Sequence, residues 1–190
     1  MKIKKLATIV SRAKQLYLYD SANGRQWAGT GSALYLLPQN LPKMDTEQLA
    51  GIMDIVPKKA AEFFIETGET PATMPDGDSS YDETELLYDL TRGIIFDATD
   101  MLPLETPGGG IYYIPFKQLN PVDDAEQLGL YLRTWGGAPV IAVKDGLFLT
   151  ALIRPAQFSP QFSPWLFSIA HGTKAVADVT EIKKFMEGKE

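Results

Sequence analysis

The chain has no cysteine, which removes disulfide staples, thiolate nucleophiles, iron–sulfur clusters and cysteine-ligated zinc from consideration. Histidine is almost as scarce. His171 is the only one, so a serine triad would have a single candidate base. It stands in Phe167-Ser168-Ile169-Ala170-His171-Gly172, which reads as a helix end, where an imidazole caps carbonyls or meets the helix dipole. No Gly-x-Ser-x-Gly elbow occurs; Gly29-Thr30-Gly31-Ser32-Ala33 comes closest and lies in a strand pattern. No apolar run approaches the ~18 residues of a membrane span. The opening Met1-Lys2-Ile3-Lys4-Lys5-Leu6-Ala7-Thr8-Ile9-Val10 starts like a secretory signal. Charge returns at Arg12 and Lys14, however, short of the roughly 7–15 apolar residues such a segment needs. We therefore expect a soluble, cytoplasmic protein with no membrane partner.

Basic residues are missing between Lys59 and Arg92, where Glu62, Glu66, Glu69, Asp76, Asp78, Asp82, Glu83, Glu85 and Asp89 accumulate. Such a run reads as a solvated face, with a cation- or partner-binding patch as the sharper alternative. The first segment has the opposite bias: Lys2, Lys4, Lys5, Arg12 and Lys14, with no acid among them. The net charge of −6 argues against a general nucleic-acid binder, because phosphate contacts need clustered Lys and Arg.

What is present is ordinary globular material. A chain of 190 residues with 45% hydrophobic content fits one domain and can bury a core without covalent help. Residues 15–20 alternate aromatic and aliphatic side chains, and Ser21-Ala22-Asn23-Gly24 supplies a hairpin turn. The return strand runs from Gln26 to Leu37 and stops at Pro38. Asp45 with Gln48 has capping-box spacing and predicts a helix near 45–54. Pro57 then predicts a second helix carrying Phe63, Phe64 and Ile65 up to Gly68. Residues 67–84, rich in Pro, Gly, Ser and acid, read as an acidic surface loop. Strand patterns follow at 93–97, 110–115, 129–134, 138–144 and 147–153, with Asp145-Gly146 as a tight turn. Ser163 and Pro164 open a helical tail that reaches 187. The expected fold is α+β: an antiparallel sheet of hairpins with a meander in the C-terminal half, and helices segregated near 45–67 and 163–187.

The usual chemical signatures fail on inspection. Gly29-x-Gly31 lacks its third glycine and precedes a strand; Gly108-Gly109-Gly110 has no following Gly-Lys-Ser/Thr. Phosphate cradling needs a helix N-terminus behind the glycines, so both are read as turns. Asp76-Gly77-Asp78-Ser79-Ser80-Tyr81 imitates the start of a calcium loop, but Tyr81 replaces the glycine and Leu87 the bidentate Glu. Asp97 with Asp100, and Asp123 with Asp124, are carboxylate pairs whose spacing equally suits turns and caps. No metal or cofactor is expected. Tyr17, Tyr19, Trp27, Tyr35, Tyr112 and Trp135 remain as candidate binding residues. On strands they would give either cross-strand packing or an exposed face for a protein or for single-stranded bases.

One resemblance bears on function. The Lys-rich start, Leu16 to Asp20, Gln26-Trp27-x-Gly29-x-Gly31-x-Ala33-x-Tyr35-x-Leu37-Pro38 and Ile52-x-Asp54-Ile55-x-Pro57-Lys58-Lys59 together resemble small proteins encoded in prophage regions of anaerobic bacteria. The likeness covers the first third and continues loosely through the meander, and Pro164 and Gly172 depart from it. It implies no activity for any residue. It implies a non-catalytic binding or assembly protein with a protein partner, and leaves a homo-oligomer open. The competing expectations are a small carboxylate enzyme with a pocket near Gly108–Gly110, and single-strand nucleic-acid binding.

Overall fold

The computed structural model describes residues 1–55, 61–82, 84–88, 93–158, 162 and 166. The chain divides into two compact units, Met1–Pro155 and Ala156–Glu190. Within the second, the Leu166 N–H donates to the Phe162 carbonyl at 2.9 Å, one helical turn. His171 and the rest of the helix expected over 163–187 lie outside the described residues.

The first unit opens with helix α1 (Ile3–Ala13). The segment has no Gly or Pro, and Leu6 and Val10, four residues apart, fall on one face and are fully buried. Each contributes about 1.5–3 kcal/mol by leaving water. Lys14 ends the helix in a left-handed conformation (φ 54°) and turns the chain into β1 (Gln15–Asp20). A turn containing Gly24 (φ 79°) leads to β2 (Gln26–Thr30), and a two-residue turn leads to β3 (Ala33–Leu36). What read as one strand from Gln26 to Leu37 is thus two. Gly29, within β2 and opposite Leu34, must lack a side chain, because a Cβ there would lie 2.1 Å from the Ala33 carbonyl oxygen. Helix α2 (Thr46–Ile52) carries the expected capping box, with Gln48 N–H on Asp45 Oδ1 (2.8 Å) and Asp45 N–H on Gln48 Oε1 (3.0 Å).

Residues 64–69 overturn the second helix expected there: they form β4 (Phe64–Glu69). Phe64, Ile65 and Thr67 suit an extended chain, Gly68 disfavours a helix, and β1 offers a ladder. Pairing with β1 is parallel, with Leu16 opposite Ile65 and Leu18 opposite Thr67, so the sheet is mixed rather than antiparallel. Later strands β9 (Leu128–Trp135), β10 (Ala138–Asp145) and β11 (Phe148–Ile153) complete it. The seven strands run in the order β4-β1-β2-β3-β11-β10-β9.

A second, antiparallel sheet contains β5 (Leu87–Tyr88), β6 (Ile94–Phe96), β7 (Thr99–Glu105) and β8 (Ile111–Pro115). Strands β6 and β5 share one side of β7, and β8 takes the other. Pro103 falls at the gap between β6 and β5, where its missing N–H has no strand to serve.

The large sheet has two differently covered faces. Leu16, Leu18, Tyr35, Leu130, Ile141, Val143 and Ile153 point to the first. They share a core with Leu6 and Val10 of α1, Leu49 of α2, Leu102, Leu104 and Ile114 of the second sheet, and Leu119 of the 3-10 segment Phe116–Val122. Tyr19, Trp27, Leu34, Tyr131, Val140, Ala142, Leu149 and Leu152 point to the second face. Period-two alternation sets this partition: neighbours on a strand take opposite faces.

Candidate functional site

Four of the six candidate aromatics share the second face. Tyr19 and Trp27 are buried there, with Tyr17 and Trp135 half-buried against them. The Tyr17 ring lies 6.0 Å from that of Tyr19 and 5.7 Å from Phe64 on β4. Tyr35 and Tyr112 belong to the first-face core instead. The Tyr35 hydroxyl donates to the Gln118 carbonyl (2.8 Å), and burial raises its pKa. The six residues therefore do not form one platform. Parity decides this: Tyr35 follows Leu34 and must face the other way.

The acidic segment expected to be solvated supplies the second face with a strap. Residues 70–82 leave the end of β4, where Thr70 N–H donates to the Asp20 carbonyl (2.8 Å), and reach the far side of the sheet. Met74 inserts among the second-face side chains. Asp76 accepts from Trp27 Nε1 (2.6 Å) and from the Ser21 hydroxyl, and the Arg25 guanidinium donates to its carbonyl (3.1 Å). Asp78 accepts from Arg133 Nε at 2.6 Å and pairs with Lys144 Nζ at 3.0 Å.

Lys144 is fully buried, an unusual place for an ammonium. Its nitrogen also donates to the Ser80 carbonyl (2.6 Å) and lies 4.7 Å from the Tyr131 ring centroid. Arg133 stacks on the same ring at 5.4 Å and reaches Asp82 at 3.1 Å. Tyr81 meets Tyr131 edge-on at 5.8 Å. Burial pushes the Asp78 carboxyl up, but hydrogen bonds from Arg133, Lys144 and Ser80 outweigh it and hold the group well below the carboxylate range. Burial raises the Tyr19 phenol first, and its hydrogen bond to the Glu66 carboxylate raises it further.

The chemistry here is that of a clasp. Asp78 is occupied by two protein cations and Asp76 by neutral and cationic donors, so the imitation of a calcium loop is spent on the fold. Sequence reasoning missed Arg133, Lys144 and the pinning role of Asp78. A signal was present: Lys144 shares strand parity with Val140 and Ala142, and Arg133 with Tyr131 and Trp135, which puts two cations on an apolar face.

Past the strap, residues 84–86 pair with the middle of β9, at the other edge of the sheet. Leu132 N–H donates to the Thr84 carbonyl (2.9 Å), Leu86 N–H donates to the Leu130 carbonyl (2.7 Å), and Glu85 bridges Tyr131. The β4 edge is different. Among the described residues no strand is registered on its outer side. Phe64 is 54% exposed and Ile65 42%. Half of the β4 backbone groups face β1, as parallel pairing requires, and the others face outward.

The remaining expected sites are dispersed. Gly108–Gly110 is a hairpin tip between β7 and β8, with Gly109 at φ 80°. Asp97 and Asp100 are exposed at the β6–β7 hairpin. Asp124 pairs with the N-terminal amine at 3.0 Å, and Asp123 pairs with Lys2 (2.5 Å) and Lys5. Helix α1 brings its lysines to the first-face side, whereas Tyr17, Tyr19, Trp27 and Trp135 lie on the second. That separation disfavours a basic border around a base-stacking platform. No helix among the described residues is long and apolar enough to cross a membrane.

Comparison with known protein families, curated proteins and solved structures yields no match to this chain. The functional reading therefore rests on geometry.

Proposed function

We propose that this chain is a non-catalytic binding or assembly protein of the cytoplasm that adds an extended segment of a partner protein to the outer edge of β4. The observation that carries the reading is the asymmetry of the large sheet's two edges. Residues 84–86 pair with the middle of β9, while among the described residues nothing pairs with the outer side of β4, which presents outward backbone donors and acceptors with two large apolar side chains. Unprotected edges are ready templates for another strand, and proteins usually blunt them with Lys, Pro or a bulge. Strand β4, Phe-Ile-Glu-Thr-Gly-Glu, contains neither Lys nor Pro.

Charge selects the occupant. Glu66 and Glu69 on this edge favour a segment with alternating basic and apolar residues, whereas Glu62 just before it is already paired with Lys14 at 3.0 Å. A second copy laid along β4 would place acid against acid, which disfavours self-association through this edge. Main-chain hydrogen bonds would supply affinity, and the Phe64–Tyr17 surface a place for an apolar side chain. The resemblance to prophage-encoded proteins adds an expectation about genomic setting, among head or tail genes.

A fluorescent peptide alternating Lys and Val tests the proposal. Wild type should bind it saturably and an alternating Glu/Val peptide not at all. Ile65→Lys and Glu69→Lys, both at exposed positions, should weaken binding by about tenfold or more. Equal binding by all three proteins would count against the β4 edge.

A further inference from the structure

A second surface, built from other residues, has a chemistry that the strand-edge reading does not use. A groove of about 510 Å³ runs between α1, the Gly31-Ser32 turn and the 3-10 segment, within the size range of small-molecule sites. Lys5, Arg12 and Lys117 line it, and no acidic residue does. Lys5 is engaged by Asp123. The side chains of Arg12 and Lys117 make no hydrogen bond or ion pair with any described residue. Two uncompensated cations thus converge on one concavity.

The second observation is an orphaned buried group. Gln118 lines the groove and is 4% exposed. Its Nε2 donates to the hydroxyl of Ser32, another groove residue, at 3.0 Å, and its main-chain carbonyl accepts from Tyr35. Its side-chain Oε1 is buried and has no hydrogen-bond partner. Buried polar atoms are rarely left unpaired, because each costs the desolvation of the group, and an orphan calls for an explanation. The Gln118 backbone is fixed by the Tyr35 bond and its amide by Ser32, so the acceptor is held in place rather than free to turn to solvent.

We propose that this groove binds a small phosphorylated polyol, with its phosphate between Arg12 and Lys117 and one of its hydroxyls donating to Gln118 Oε1. A dianionic phosphomonoester matches two cations, of which the guanidinium can bind two oxygens at once. A hydroxyl on the same molecule supplies the donor that the amide lacks. Neither group alone accounts for both features.

The full chain titrated calorimetrically with glucose 6-phosphate, inorganic phosphate and glucose tests the assignment. Glucose 6-phosphate should bind saturably and more tightly than phosphate, and glucose should not bind. Arg12→Gln and Lys117→Gln, both at exposed positions, should keep the wild-type unfolding midpoint and each weaken glucose 6-phosphate by about tenfold. Unchanged affinity in both variants would overturn the cation assignment, and equal affinity for phosphate and glucose 6-phosphate would overturn the Gln118 contact. Binding only to an oligothymidylate or to phosphatidylglycerol vesicles would overturn the proposal by making α1 a general basic surface. A failure here leaves the β4 reading untouched, since the two surfaces share no residue.

Discussion

Replacing Asp78 with Ala should destabilise the first unit more than any exposed charge substitution could. The side chain is 10% exposed and bonds to Arg133, which is 13% exposed, and to Lys144, which is fully buried. Its removal leaves the Lys144 ammonium with the Ser80 carbonyl and the Tyr131 ring as its remaining partners. Breaking one side of a buried ion pair costs about 3–5 kcal/mol. Arg133 keeps Asp82 and Ser80, so we place the loss at about 2–4 kcal/mol, around the lower end of that range. Lys144→Met removes the other charge but leaves Asp78 with Arg133, and should cost about 1–3 kcal/mol. The double variant should lose less than the sum by about 1–3 kcal/mol, because each partner strands the other. As a control, Lys43→Ala breaks a pair with Asp20 in which the lysine is 62% exposed, and should stay within about 0.5 kcal/mol. Urea unfolding followed by tryptophan fluorescence reads all four. Additive single effects, or an Asp78→Ala loss no larger than that of Lys43→Ala, would refute the clasp.

Three further outcomes follow from the same geometry. The Asp78 carboxyl is held below its ordinary value in the folded chain, so its contribution is fully present above the unfolded value near ~4 and is lost as pH falls through the folded one. Between about pH 5 and about pH 2.5, wild-type stability should therefore fall more steeply than that of Asp78→Ala, and parallel curves would contradict this. Ala98 has φ 54° in the β6–β7 turn, a conformation costly for a residue with a Cβ, so Ala98→Gly should raise stability by about 0.5–1 kcal/mol in the same unfolding assay. Tyr35→Phe should cost about 1 kcal/mol by leaving the buried Gln118 carbonyl without its donor, whereas a neutral effect would show that the bond adds nothing.

Local chemistry was legible in the sequence, and long-range pairing was not. Gly24 and Gly146, picked out as turn residues, have φ of 79° and 56°, and Asp45 with Gln48 forms its capping box. Alternation in residues 15–20 placed Leu16 and Leu18 opposite Tyr17 and Tyr19, as the two cores show. Strand β4 escaped because a parallel neighbour leaves no turn between the partners: Leu16 and Ile65 are registered across α2 and all that lies between. Helix α1 is masked by a Lys-rich opening that also fits the start of a targeting segment, although Leu6 and Val10 have the spacing of a buried stripe. The strap escaped for a different reason. Composition marks an acidic run as solvated, and only the fold reveals that Arg133 and Lys144 wait beneath it, on strands more than fifty residues away.

The central claim is that β4 is an open edge built to accept an extended basic segment. Hydrogen exchange at residues 64–69 tests it most directly, in the presence of the Lys/Val peptide and of the same peptide N-methylated at alternate residues. The two carry equal charge, but only the first can form a ladder. The account predicts that the unmodified peptide slows the outward-facing β4 amides and the N-methylated one does not. Equal protection by both peptides, or protection elsewhere with none at β4, would contradict it.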